Sequence, residues 1–136
     1  MSSVSALIVV RLDATTGQVP LLARFSYDSG APYEVQAAFF DGPSVLARWH
    51  FDRQMLAEGL HRPVGEGDVA FRPRQGSGAG ELRVDLRGGC SGPHGQAVLF
   101  VEARALAAFL EQTYTVVRAG DEFLDLDKLL EEFLAR

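Results

Sequence analysis

The chain has a single cysteine, Cys90, and a single lysine, Lys128. One cysteine excludes an intramolecular disulfide and suits a reducing cytoplasm. Scarce lysine, with a formal net charge of −5, argues against a polyanionic partner, because nucleic-acid binders concentrate basic residues to displace counterions. The twelve arginines are scattered among carboxylates. Long apolar runs are also missing. Runs such as Ala6–Val10 fall far short of the ~20 residues that span a bilayer. Met1–Ser5 has neither the basic start nor the apolar core of a secretion signal. These absences lead us to expect a cytoplasmic protein that inserts into no membrane by itself.

What is present reads as one domain over residues 1–136, long enough to need no disulfide or metal staple. The first third has the period of strands. Val4–Leu12 is β-branched and apolar. In Val19–Tyr27, Leu22, Arg24 and Ser26 take one face and Leu21, Ala23, Phe25 and Tyr27 the other. Tyr33–Phe40 and Val45–Phe51 follow, separated by the hairpin signal Asp41-Gly42, with Pro43 expected to lengthen the loop. Asp52 can then cap a short helix over Arg53–Glu58. Gly59 sits where a left-handed residue ends a helix, with Leu60 making the accompanying apolar contact, and Pro63 forbids continuation.

Asp68–Arg72 reads as a strand that Pro73 ends. Glu81–Arg87 alternates Leu82, Val84 and Leu86 against Glu81, Arg83, Asp85 and Arg87, which predicts one wet face. Gln96–Val101 is an apolar strand. A helix over Ala103–Thr113 turns Leu106, Phe109 and Leu110 inward, and Asp125 caps a last amphipathic helix, Leu126–Leu134. The expected fold is α+β: two antiparallel sheets packed together with helices at the side or end.

No constellation carries chemistry. Cys90 and His94 share a glycine-rich loop without a third residue to orient them, so a loop thiol beside a surface imidazole is favoured over a nucleophile and its base. His50, His61 and His94 are isolated, unlike the closely spaced ligands of a zinc site. Asp125, Asp127, Glu131 and Glu132 lack the glycine of a calcium loop. Gly76–Gly80 is not followed by the Gly-Lys-Ser/Thr of a phosphate loop. Tyr33, Phe39, Trp49 and Phe51 share a face pattern that suits a core better than a base-stacking platform, since few basic residues accompany them. Arg72 and Arg74, flanking Pro73, read as solvated arginines that at most meet an acidic partner. We therefore expect no catalysis, cofactor or metal.

The most specific segment is Met55–Val69, MLAEGLHRPVGEGDV. It resembles the corresponding segment of the SsgA-like family of actinobacterial sporulation and cell-division regulators. The resemblance extends through APYEVQAAF (31–39), Trp49-His50-Phe51, ARALAAFL (103–110) and FLDLD (123–127). It implies a Whirly-like fold, a homotrimer and no catalytic centre. It implies division proteins as partners, such as the tubulin-like FtsZ or another SsgA-like protein, with concentration at division septa. The runner-up is a single-stranded nucleic-acid binder of the same fold. Within the signature, Tyr33, Trp49, Leu56, Gly59, Leu60, Pro63, Gly65 and Gly67 read as mainly structural. Glu58, His61, Arg62 and Asp68 are harder to explain by backbone geometry and are the candidate interface residues.

Overall fold

A computed structural model describes residues 2–74, 80–88 and 96–122. The expected helix Leu126–Leu134, the Cys90/His94 pair and most of both glycine-rich loops lie outside them.

Four strands come first: β1 (Ser3–Ala14), β2 (Gly17–Asp28), β3 (Glu34–Asp41) and β4 (Ser44–Asp52). Helix α1 (Arg53–Gly59) follows. Four more strands then form, β5 (Val64–Glu66), β6 (Val69–Arg74), β7 (Glu81–Arg87) and β8 (Gln96–Glu102), and helix α2 (Ala103–Val116) comes after them. The plan of four strands and a helix is thus stated twice.

The two expected sheets are one. All eight strands join in the order β4-β3-β2-β1-β8-β7-β6-β5, every pairing antiparallel. The reason is the reach of β1. It pairs with β2 over its whole length, and Val10, Arg11 and Leu12 also pair with Val101, Phe100 and Leu99 of β8. That seam of three residue pairs joins two four-stranded meanders.

The period-2 readings hold on both meanders. Ala23, Phe25 and Tyr27 are buried while Leu22 and Arg24 are exposed, and Leu82, Val84 and Leu86 are buried on β7. These inner faces form one core with Leu56 of α1 and Leu106, Phe109 and Leu110 of α2. The Phe25 and Phe109 rings lie 6.0 Å apart, and Phe51 meets Phe71 edge-on at 5.4 Å.

Local details correct other expectations. Proline 73 does not end β6, which continues to Arg74. Strand β5 covers only Val69–Phe71, so beyond Phe71 β6 is an edge strand, where a missing N–H is tolerated. Gly42 and Pro43 form a tight two-residue connection, with Asp41 paired to Ser44, and the extra length is absorbed by a bulge near Phe39 and Phe40.

Asp52 caps α1 as expected, its carboxylate accepting the Met55 N–H at 2.9 Å. The next residue was not anticipated. Arg53 is 1% exposed. Its Nη1 donates to the Thr113 and Val117 carbonyls at 3.0 and 2.8 Å, and its Nη2 to Glu122 Oε1 at 2.6 Å. The guanidinium carbon lies 4.8 Å from the Tyr27 ring centre and 4.1 Å from that of Tyr114. One side chain at the start of α1 thereby satisfies carbonyls at the end of α2, where a positive charge also complements the helix dipole. Burial pushes both phenols up, with Arg53 pulling them the other way. The hydrogen bond from Arg53 holds the Glu122 carboxyl below the ordinary carboxylate range.

Candidate protein-interaction surface

The signature Met55–Val69 runs from α1 through a turn into the β5–β6 hairpin. The turn is built from backbone: the N–H groups of His61 and Arg62 both donate to the Glu58 carbonyl, at 2.9 and 3.0 Å. Gly67 stands at the hairpin tip with φ +61°, a conformation that favours glycine. The next residue, Asp68, accepts the Arg87 N–H at its carbonyl, 2.8 Å away, which ties the hairpin to the end of β7.

Gly59 overturns its expected role. Its φ is not positive, and the capping residue is Leu60, in the right-handed region at φ −69°, ψ −18°. Gly59 is buried, and a Cβ there would lie 2.5 Å from Phe71 Cβ. Glycine is needed because α1 packs directly onto β6, not because the helix turns left. At Gly65 an added Cβ would lie 3.2 Å from Ala70 Cβ, so close strand approach again explains the residue. Leu56 is fully buried, while Leu60 and Trp49 pack against the core part-exposed. Pro63 is exposed beyond the turn. Tyr33, expected on the core face, is 52% exposed; it lies in the turn before β3, and its hydroxyl donates to the Glu122 carbonyl.

The β5–β6 hairpin forms a ridge between two shallow grooves, Gly65 and Glu66 lining both. On the α1 side lie Glu58 and Arg62, joined by an ion pair of 2.6 Å one helical turn apart. On the β7 side lies Asp68, among Arg72, Arg83, Asp85 and Arg87. The structure therefore brings Glu58 and Arg62 together, puts Asp68 across the ridge, and leaves His61 exposed in the turn, lining neither groove. Both grooves are polar and open, a shape suited to a protein surface more than to an enclosed small molecule.

Sequence reading undervalued the arginines of the second groove. The alternation of Glu81–Arg87 shows that Arg83 is on a wet face, but nothing local shows that β6 sets Arg72 directly opposite it. His50 does not gather with other histidines; it meets Glu34 at 3.1 Å. Among the described residues no three His, Cys, Asp or Glu side chains are placed to hold a metal ion, and no helix is long and apolar enough to cross a membrane.

The comparisons with known proteins agree with the signature. Residues 21–122 match the family described as Streptomyces sporulation and cell division protein, SsgA. The chain belongs to the SsgA family. It is 39% identical to sporulation-specific cell division protein SsgB of Streptomyces coelicolor, covering 98% of this chain and 97% of the relative. Identity to the SsgB of Thermobifida fusca is 37%, over 86% of this chain and 83% of that one. Among solved structures, the SsgA-like sporulation-specific cell division protein of T. fusca superposes with a TM-score of 0.85 at 33% identity, covering 97% and 96% of the two chains. The S. coelicolor structure described with SsgB mutations that correlate with longitudinal cell division gives 0.79 at 38% identity, covering 89% and 93%. These relatives place the chain in sporulation cell division, and the SsgA-family fold is mixed α+β around a mostly antiparallel sheet.

Proposed function

We propose that this SsgA-family chain is a non-catalytic regulator of sporulation-specific cell division that binds division proteins, FtsZ or another SsgA-like protein among them. In this reading it works in the cytoplasm, forms a homotrimer, and concentrates at division septa through its partners. The observation that carries the reading is the near end-to-end similarity to chains named as sporulation-specific cell division proteins. The surface agrees in character: open polar grooves flank the β5–β6 hairpin, with half-exposed Glu58 and exposed Arg62 in one, exposed Asp68 in the other, and His61 exposed in the turn.

The test is a pull-down from sporulating cells with imaging of a fluorescent fusion. Recovery of a division protein and septal foci support the reading; a diffuse fusion that captures no division or cell-wall component defeats it. Arg62→Ala separates contact from folding. An exposed i,i+4 pair contributes about 0.3–0.5 kcal/mol, so the midpoint of urea unfolding should hardly move. Affinity for purified FtsZ should fall about fivefold. Binding equal to wild type would show that Arg62 is no part of the contact.

A further inference from the structure

The outer face of the sheet, opposite the core, carries a band that the signature does not include. Register places Arg72 of β6 opposite Arg83 of β7, Arg83 opposite Phe100 of β8, and Phe100 opposite Arg11 of β1. Two residues along β1 the band continues as Val9, opposite Leu22, which is opposite Phe40. Val9 is 63% and Leu22 41% exposed. The band is therefore cationic over β6 to β1 and apolar over β1 to β3.

The cationic half is not an ordinary solvated strand face. Like charges directly opposite on neighbouring strands destabilise a sheet. Arg83 is held by Asp85 at 3.1 Å, and Glu81 takes both Arg11 and Arg74. Arg72 has no hydrogen bond or ion pair among the described residues. A guanidinium with no carboxylate partner among the described residues, set against another, makes sense if an anion comes from outside, since arginine presents a fork matched to carboxylates.

We propose that this band docks an acidic protein segment bearing apolar side chains, its carboxylates on Arg72 and Arg83 and its apolar groups on Val9 and Leu22. The proposal rests on the division-partner reading and names the surface and the partner's chemistry. Charge complementarity selects the occupant: a net −5 chain places arginines here, which steers and orients an acidic partner. A single-stranded nucleic acid fits less well. It needs open aromatic faces for stacking, whereas Phe100 is 4% exposed beneath Arg11 and Arg74, whose guanidinium carbons lie 5.5 and 4.8 Å from the ring centre.

The experiment is fluorescence anisotropy on the full chain with a labelled twelve-residue peptide of Asp and Glu interspersed with Leu and Phe. A peptide with Lys in place of the acids and a twenty-nucleotide oligo-dT serve as controls. Saturable binding of the acidic peptide is expected, weakened at least tenfold by R72E/R83E and about threefold by V9S/L22S. Arg72→Glu alone should keep or raise the melting temperature, because it replaces a like-charge pair by an opposite one, while still weakening the peptide. A structural role would instead move both downward. Absence of saturation, equal binding of the Lys peptide, indifference to R72E/R83E, or tighter binding of oligo-dT each overturns the proposal. Purified division protein then separates the two readings. If it binds R72E/R83E as tightly as wild type, the band is wrong and the division reading stands. If wild type binds the peptide but recovers no division protein, the band stands and the division reading falls.

Discussion

Arg53→Met is expected to lower stability by about 3 kcal/mol, the low end for breaking a buried charged pair, and the melting temperature by about 10 °C. Methionine keeps the length and apolar stem but takes the guanidinium from three acceptors at once: the Val117 carbonyl, the Thr113 carbonyl, which keeps only its bond from the Val117 N–H, and the Glu122 carboxylate, which keeps only that from the Gly120 N–H. The low end applies because water reaches the Glu122 side chain, which is 16% exposed. Arg53→Lys should fall between, restoring charge without the planar fork that serves separate acceptors. The pH dependence follows in sign. Glu122 binds its proton less tightly folded than unfolded, so its contribution is complete above the ordinary carboxylate range and drains away as pH falls through the lowered value. Urea titrations at pH 7 and at descending acid pH check both claims. A methionine variant within 1 kcal/mol of wild type, or unchanged acid sensitivity in Glu122→Gln, would contradict the account.

Gly59→Ala is the second large effect, a loss of about 2–3 kcal/mol from overpacking. The new Cβ would stand 2.5 Å from Phe71 Cβ, an atom fixed to the β6 backbone that cannot swing aside. Asparagine distinguishes this cause from helix termination. Where a left-handed residue ends a helix, Asn is the next-best choice after Gly. Here the larger side chain should be worse than alanine, and thermal unfolding of the two variants ranks them.

The two sites mark where the sequence was legible. Asp52 could be read as a cap because its acceptor serves an N–H three residues on. The faces of β2 and β7 could be read because alternation is a local property. Arg53 could not, because its partners stand 60 to 69 residues away, and locally it is one more polar residue in a helix's first turn. At Gly59 the sequence shows that glycine is required but points to the wrong cause, since the chain just before a proline offers helix termination and Phe71 is hidden on a later strand. Strand β5 was missed because three residues, one of them glycine, give no period to detect. The single sheet was missed because three residue pairs between β1 and β8 decide it. For the candidate surface, the signature leads to Glu58, His61, Arg62 and Asp68 around the β5–β6 hairpin, while the meeting of Arg72 with Arg83 depends on register and has no trace in either segment alone.

That narrow seam has a consequence for a chain made from its N-terminus. Each meander pairs strands adjacent in sequence, so its loops are short to close, whereas joining Val10 to Val101 closes one of about ninety residues. The ribosome completes β1 to β4 before any residue of β8 exists. On the inner face of that first meander, Phe51 then waits for Phe71 of β6, and Phe25 waits for Phe109 of α2. Between those moments the nascent chain presents an aromatic sheet face to solvent, the interval in which a chaperone has most to shield.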